Sequence, residues 1–330
     1  MAKSLKELEF GKHQLGLGAF KLNDVSILIL LAALIASVVA PFTGFSYLQF
    51  IMMYFFAYAI YTVSWDLLYS YSGQLSLGQA LPFGLGAFFT VLLTQQFHLP
   101  LILSAVLGIL AATAIGGGVG ATTIRLRPAY QGIAILLFSQ ILYWITLILY
   151  GEEGLSIFSA TPLSQGIVYA VGIIIFVLTM LGAYLLHDSK YRLKLLAIKG
   201  DNLAANVCGI NVPVYKAIML FVSSLIAGIG GTYYAIFTSH ADFTIFTVPN
   251  SFLPIGMAIV GGTGVLGGSI IGSAIVTILI RTLPISYSLA VTYFTYGIVV
   301  IVILKLRPTG IIGLFQRKKN RRGGVIIAKS

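Results

Sequence analysis

The sequence predicts an all-α integral membrane protein with about ten transmembrane segments, two of them Gly/Pro-broken or re-entrant, arranged in pseudo-symmetric halves. Hydrophobic residues make up 58% of the chain and charged residues 9%, and the mean hydropathy is +0.98. These values are far more apolar than those of a soluble domain. Apolar runs of roughly 20 residues recur without strand-like alternation, so we expect the spans to be helices.

Charge divides the connections between these runs into two sets. The net charge is +11, and the basic residues cluster between or after the apolar runs, as the positive-inside rule describes for cytoplasmic segments. Arg125 and Arg127 are therefore expected inside the cell, and Glu152, Glu153 and Asp242 outside it. Because the basic residues follow this topology, we expect no nucleic-acid partner.

The chain divides into two tails and a transmembrane domain. Residues 1–24 carry four lysines but no compact apolar core followed by a cleavage site, so they are predicted to be a cytoplasmic tail and not a signal peptide. Residues 305–330 are predicted to be a basic cytoplasmic tail, and 25–304 the transmembrane domain. The expected spans are 25–40, 47–71, 72–96, 101–124, 129–150, 166–186, 214–238, 248–260, 264–281 and 286–304.

Two of the expected spans are irregular. The one that begins at Ser72 is rich in Gly, Ser and Gln, and the short one at 248–260 contains Pro249 and Pro254. Paired broken segments indicate a pathway between related halves, and non-helical polar backbone at membrane depth is tolerated only inside protein or against water. We therefore expect a translocation route near Gly73, Gln74, Ser76, Gly78, Gln79, Gly261, Gly262 and Gly264.

A long polar interruption at 188–215 is expected to be a cytoplasmic loop. Within it, Asp201 can cap the N-terminus of a short helix at 202–208, and Gly209 can end that helix in a left-handed conformation. So short a helix needs a surface to lie on. The loop could rest on its own helix ends, or it could enter a partner's groove through a small apolar face formed by Leu203, Ala204, Ala205 and Val207.

Few side chains in the spans could carry chemistry. Asp66 is an intramembrane carboxylate and hence a candidate functional residue, although near the interface it could simply reach water. An aromatic stripe on the same span is interpreted as packing; its members are Tyr54, Tyr58, Tyr61 and Trp65. The four histidines are scattered and no H-E-x-x-H or G-x-S-x-G motif occurs, so we expect no metal, cofactor or catalytic site.

Two glycine-rich stretches match nucleotide-binding motifs in spacing alone. Gln79 and Ala80 stand where a Walker A motif after Gly73 needs Lys and Ser/Thr, and the G-x-G-x-x-G at 262–267 follows a membrane segment and no strand. The glycines at every fourth position are typical of close helix packing; they are Gly264, Gly268 and Gly272.

Three stretches together carry a family resemblance. They are Tyr71–Gln79 with the following Gly84–Ala87, then Ala197–Asn211, and finally Val260–Gly268 with Arg307–Gly313. In order and spacing the chain resembles the LivM family, permease subunits of ABC importers for branched-chain amino acids, from about Tyr47 to Leu314. The resemblance implies import of branched-chain or related amino acids across the cell membrane of a prokaryote.

The resemblance also implies partners and a contact site. The partners would be two ABC ATPase subunits, a second related permease and an extracytoplasmic solute-binding protein. The coupling helix that touches the ATPases would lie within 197–209 and would include Ala197, Ile198, Lys199, Asp201, Asn202, Ala204, Ala205 and Gly209.

Alternatives remain for the solute and for the energy source. The family usually has His where Gln79 stands and Arg where Leu196 stands. Relatives carry urea, and more distant permeases of this kind carry sugars. An autonomous secondary transporter or channel would need no ATPase and would respond to an ion gradient.

Overall fold

The computed structural model describes residues 24–39, 46–157, 164–282, 289–306 and 310–313. The expected N-terminal tail up to residue 23 and the basic cluster after residue 313 lie outside these ranges. The tail boundaries therefore stay predictions.

Helices form almost all of the described chain. Long apolar runs predict this, because backbone placed in a bilayer must satisfy its hydrogen bonds within the protein. They are α1 (Asp24–Val39), α2 (Ser46–Ser72), α3 (Ala80–Gln96), α4 (Leu101–Ala111), a π-helical turn (Ala112–Gly116), α5 (Gly117–Thr122), α6 (Pro128–Tyr150), α7 (Gln165–Asp188), α8 (Lys190–Gly200), α9 (Asn202–Val207), α10 (Val212–Thr238), a 3-10 turn (Phe243–Phe246), α11 (Val248–Gly261), α12 (Leu266–Thr282) and α13 (Leu289–Leu306). Two short strands, β1 (Leu155–Ser156) and β2 (His240–Ala241), pair in antiparallel fashion.

The described ranges contain fewer helices of membrane-spanning length than the sequence predicts. Within the described ranges, five helices are long and apolar enough to cross a membrane, and α11 with α12, bent by 116°, makes six at most. Shorter apolar helices occur at 26–37, 80–96 and 294–303. The count of about ten spans is thus not confirmed, because several expected crossings correspond to helices shorter than the roughly 20 residues a bilayer needs.

The long helix α2 lies at the centre of the fold. The most apolar 18 residues of α2 are 94% buried, whereas the corresponding stretch of α6 is 22% buried. The aromatic stripe is buried within this packing: Tyr54 lies 4.7 Å from Phe237 and Tyr61 lies 4.3 Å from Phe83, measured between ring centroids. A helix that is apolar on all sides belongs inside a bundle, so α2 is the core on which the other helices assemble.

Small residues join α3 to α10. A Cβ at Gly86 would lie 2.3 Å from the carbonyl oxygen of Gly228, and one at Gly231 would lie 1.8 Å from that of Phe83. The expected third span is therefore not broken by its glycines; they let a continuous helix approach its neighbour closely, as in other membrane bundles. The irregular backbone is confined to 73–79, before α3 begins.

The helix ends fall into two groups. β1 and β2 pair Leu155 with Ala241 and so join the connection after α6 to the one after α10. We call this the acidic end, because Glu152, Glu153 and Asp242 lie beside the strands. At the basic end, the side chain of Gln131 on α6 donates to that of Gln74, which donates to the carbonyl of Lys216 on α10.

The segment 188–215 contains a second helix besides the short one predicted from the sequence. α7 extends to Asp188, α8 follows immediately, and α9 comes next. α8 buries Leu195 and Ile198, three positions apart on one face, against the body of the protein. That spacing, within a lysine-rich stretch, was the available signal for an amphipathic helix.

Candidate functional site

Three consecutive residues of α2 bind two irregular segments of the chain, residues 73–79 and the turn between α11 and α12. The hydroxyl of Ser64 accepts a hydrogen bond from the Gln79 amide at 3.0 Å, and the indole of Trp65 donates to the carbonyl of Ser76 at 2.7 Å. Asp66 accepts one from the backbone N–H of Gly264 at 2.9 Å. Successive helical residues point about 100° apart, so α2 holds the two segments on different sides.

The segment 73–79 turns back along the last turns of α2. Gly73 has a φ of 67°, a left-handed value that lets the chain leave the helix and reverse. The amide of Gln74 then donates to the hydroxyl of Ser72 at 2.9 Å and to the carbonyl of Lys216 at 3.1 Å. These bonds satisfy polar groups that neither lipid nor bulk water reaches.

This segment is enclosed within the chain. Gln74, Ser76 and Gln79 are only 2–3% exposed. α6 closes one side, since a Cβ at Gly78 would lie 2.4 Å from the carbonyl carbon of Ile135. Of the sequence-predicted route residues in this segment, Gln74, Ser76, Gly78 and Gln79 are therefore buried within the chain, and Gly73 is half-buried.

The second irregular segment is the turn between α11 and α12, which we call the apex (Gly261–Val265). Gly262 and Gly264 have φ values of 113° and 81°, which reverse the chain at little steric cost. A Cβ at Gly268 would lie 2.1 Å from the carbonyl oxygen of Gly262, so the glycine repeat serves packing, as expected. Thr263 is exposed, while the three predicted apex glycines are buried.

The short helix α9 has the expected capping. The carboxylate of Asp201 accepts hydrogen bonds from the backbone N–H groups of Leu203 and Ala204 at 2.7 and 3.3 Å. Gly209 follows the helix with a φ of 79°. The N-cap and the left-handed residue inferred from the sequence are both confirmed.

The apolar residues of α9 point in two directions. Ala205 is buried against Ile198 and Val212, so it packs on its own chain and is not available to a partner. Leu203 and Val207 are 77% and 88% exposed. The proposed docking face must therefore be corrected: it consists of Leu203, Val207 and the exposed Ala204, without Ala205.

The remaining residues of the predicted contact site are divided in the same way. Ala197 and Asn202 are exposed, whereas Lys199 turns inward and donates to the carbonyl of Ser70 on α2 at 3.0 Å. Burial lowers the pKa of the Lys199 ammonium, and the nearby carboxylate of Asp66 opposes this shift. Lys199 thus connects α8 to the core.

Comparison with known proteins identifies the family. The profile described as "branched-chain amino acid transport system / permease component" matches residues 47–304. This chain belongs to that family. It is therefore a multi-pass transport permease and not an enzyme.

Two further comparisons add little. The permease is similar to a chain of the structure titled "PsaBC from Streptococcus pneumoniae in complex with Fab", with 15% sequence identity and a TM-score of 0.46. The similarity covers 83% of this chain and 99% of the other. No curated protein gives a significant match.

A cavity of about 650 Å³ lies elsewhere in the permease. It is lined mainly by apolar side chains of α7 and α10, including Ile175, Leu178, Leu225 and Ile226. Apart from Thr179 and Ser189 the lining offers no side-chain hydrogen bonds to a zwitterion, so this cavity suits a polar solute poorly. It also does not include the segments predicted to form the route.

Several polar residues of the permease that hold these segments were missed in the sequence. Ser223 on α10 donates to the carbonyl of Ser64, and Ser70 and Ser269 both donate to Asp66. Small hydroxyl residues within apolar helices are the signal that could have pointed to them, because inside a membrane they need partners.

Proposed function

We propose that this permease is the membrane-spanning subunit of an ABC-type importer for branched-chain or related amino acids, and that α9 is where it receives the ATPase subunits. The docking role of α9 rests on the exposure of Leu203 and Val207, because the opposite face of this helix is anchored to the permease. Two ATPases, a second related permease and an extracytoplasmic solute-binding protein would complete the complex.

The capping and anchoring of α9 support a docking role. A six-residue helix has little stability of its own, yet both of its ends are capped and Ala205 fixes it to α8 and α10. This arrangement presents Leu203 and Val207 in a defined geometry. Burying each in a partner's groove would contribute about 1.5–3 kcal/mol.

The two groups of helix ends support the proposed orientation. α8 and α9 lie at the basic end, where the positive-inside rule predicts the cytoplasm. Glu152, Glu153 and Asp242 lie at the acidic end, on the proposed outer side. Both termini would be cytoplasmic, and the protein would lie in the cell membrane of a prokaryote.

The proposed route follows the two irregular segments. Both segments interrupt the helices and are largely buried: Ser64 and Trp65 of α2 hold Gly73–Gln79, and Asp66 holds the apex. Such backbone is tolerated at membrane depth inside protein or beside water. We propose that the solute passes next to these segments, between this permease and its related partner, when the subunits rearrange.

Reconstitution tests the function. The complete complex in proteoliposomes should take up radiolabelled leucine only when ATP and the solute-binding protein are both present. An ion gradient without ATP should drive no uptake; gradient-driven uptake without ATPases would establish the secondary-transporter alternative. Radiolabelled urea, offered in a parallel arm, should not accumulate, and its accumulation in place of leucine would assign the other solute.

A further inference from the structure

Asp66 is a buried carboxyl group that so far serves only to hold the apex against α2. It lies on α2 with no exposed surface. The sequence left open that Asp66, near the membrane interface, reaches water; in the structure it does not. Burying a carboxyl group in a bundle is unfavourable unless hydrogen bonds compensate for lost hydration. Its partners therefore indicate what it holds in place.

Three donors surround this carboxylate; one lies in the apex and another in the helix that follows it. One oxygen accepts from the hydroxyl of Ser70 at 2.7 Å and from the backbone N–H of Gly264 at 2.9 Å. The other accepts from the hydroxyl of Ser269 at 2.7 Å. Because Gly264 lies in the apex and Ser269 in the first turn of α12, Asp66 fixes the apex and the start of α12 to α2.

The same group is connected to α8. Ser70 donates through its hydroxyl to Asp66, and its backbone carbonyl accepts from the ammonium of Lys199 at 3.0 Å. The ammonium also lies 5.6 Å from the centre of the Tyr69 ring. Gly73 leaves room for the Lys199 stem, since a Cβ there would lie 3.2 Å from Cγ.

A continuous chain of contacts thus runs from α9 to the apex. Ala205 packs α9 against Ile198 of α8, Lys199 follows on the same helix, and Ser70 leads to Asp66 and the apex. The segments that it joins are the exposed helix α9 and a glycine-rich turn whose positive φ values glycine adopts without strain.

We infer that Asp66 is a positioning residue of the transport cycle, linked through Ser70 and Lys199 to α8, and that it carries movement of α8 and α9 to the apex. This inference rests on the proposed function, since it is the ATPases that would move α9. The Lys199 ammonium holds the backbone carbonyl of Ser70, and the hydroxyl of the same residue holds Asp66, so two hydrogen bonds join α8 to the group that binds the apex.

The test measures movement of the apex directly and does not depend on the solute. Thr263 is exposed in the turn, and Cys208, the single cysteine, can be removed as Cys208→Ser. Thr263→Cys in that background is reacted with a water-soluble maleimide, in the complete complex in nanodiscs. The reaction rate is compared without nucleotide and with Mg-ATP plus vanadate, and ATP hydrolysis is measured in parallel.

We expect nucleotide to change the maleimide rate several-fold in this parent. Ser269→Ala should keep ATP hydrolysis and lose the nucleotide-dependent change, and Lys199→Met should lose that change as well. Two matched controls should retain it: Lys194→Met removes an exposed ammonium that contacts Tyr215, and Ser273→Ala removes a buried hydroxyl of α12 that bonds within its own helix. Thermal unfolding of each variant shows whether the fold is intact.

The outcomes separate the two proposals. If the parent complex neither assembles with ATPases nor hydrolyses ATP, the proposed function fails and this inference fails with it. If the parent hydrolyses ATP but the maleimide rate does not respond, or if Lys199→Met and Ser269→Ala respond like the parent, only the inference is overturned.

Discussion

The side-chain amide of Gln79 donates a hydrogen bond to the hydroxyl of Ser223, with 2.8 Å between the heavy atoms. The same amide donates to the hydroxyl of Ser64, and Ser223 in turn donates to the Ser64 carbonyl at 2.9 Å. One amide therefore ties the irregular segment to both α2 and α10. All three residues are buried, so water cannot replace a lost partner.

Replacing this amide should weaken the fold. Gln79→Leu removes the donor of both bonds, and we expect a loss of about 0.6–2 kcal/mol, the range measured for hydrogen bonds between membrane helices. Gln79→His retains an N–H donor and should lose less. The measurement is thermal unfolding of the purified permease together with ATP-driven uptake. Equal stability of Gln79→Leu and the parent would contradict the structural role assigned to this bond.

The exposed face of α9 gives the second prediction. Leu203→Ser and Val207→Ser should leave the permease as stable as the parent, because both side chains are already exposed. Both should weaken binding of the ATPase subunits, by up to about 1.5–3 kcal/mol each if the side chain becomes fully buried. Binding is measured by titrating purified ATPase onto permease in nanodiscs.

A matched control lies on the neighbouring helix. Leu193 on α8 is 74% exposed, close to the 77% of Leu203. Leu193→Ser therefore removes a comparable apolar surface outside α9 and should not change ATPase affinity. Equal losses at Leu193 and Leu203 would place the docking surface on α8 as much as on α9.

The third prediction separates the two faces of α9. Ala205→Glu places a charged group against Ile198 and Val212 and should detach α9 from the permease itself, whereas Ala204→Glu changes an exposed position. Detachment can be followed as faster digestion of the 200–212 segment by protease in the isolated permease. We expect faster digestion for Ala205→Glu alone; the same rate in both variants would show that Ala205 does not anchor α9.

Glycine packing at the apex gives the fourth prediction. A Cβ at Gly261 would lie 1.7 Å from the carbonyl oxygen of Gly268, so Gly261→Ala forces α11 and α12 apart and should cost about 1–3 kcal/mol or more. Gly297 on α13 is the control, because a Cβ there would meet no atom of the described residues within 4 Å. Gly297→Ala should be neutral or slightly stabilising in the same thermal unfolding assay.

Orientation in the membrane gives the fifth prediction. Cys208 follows α9 and is exposed, and we place it on the cytoplasmic side. A membrane-impermeant thiol reagent should label it in inside-out vesicles and not in intact cells, and bound ATPase should slow the reaction. Labelling in intact cells would reverse the proposed orientation.

The sequence was most informative where a residue type has one structural use. Asp201 before a short apolar stretch and Gly209 after it predicted the ends of α9, because few residues cap a helix or adopt a left-handed conformation readily. The apolar runs likewise predicted most helices. Their lengths were harder to infer, since the same apolar composition suits a helix that crosses a bilayer and one buried inside a bundle.

Contacts between distant parts of the chain were not accessible in this way. The sequence identified Gly264 and Asp66 separately, but no local pattern pairs positions 198 residues apart. It also assigned Ala205 to an outer face, because composition alone does not tell which side of a six-residue helix rests on the protein. Those relationships depend on tertiary packing, which local propensity does not encode.

Residues 310–313 pack against the apex and the end of α11. A Cβ at Gly310 would lie 2.4 Å from the Cα of Gly262, and the N–H of Ile311 donates to the carbonyl of Val260 at 3.0 Å. These contacts cannot form until residues 310–312 have left the ribosome. During synthesis the central helices can assemble first, and the apex is among the last parts of the membrane domain to be completed. A chain stalled on the ribosome before residue 310 would contain the preceding helices but would lack the contacts of Gly310 and Ile311 with the apex and α11.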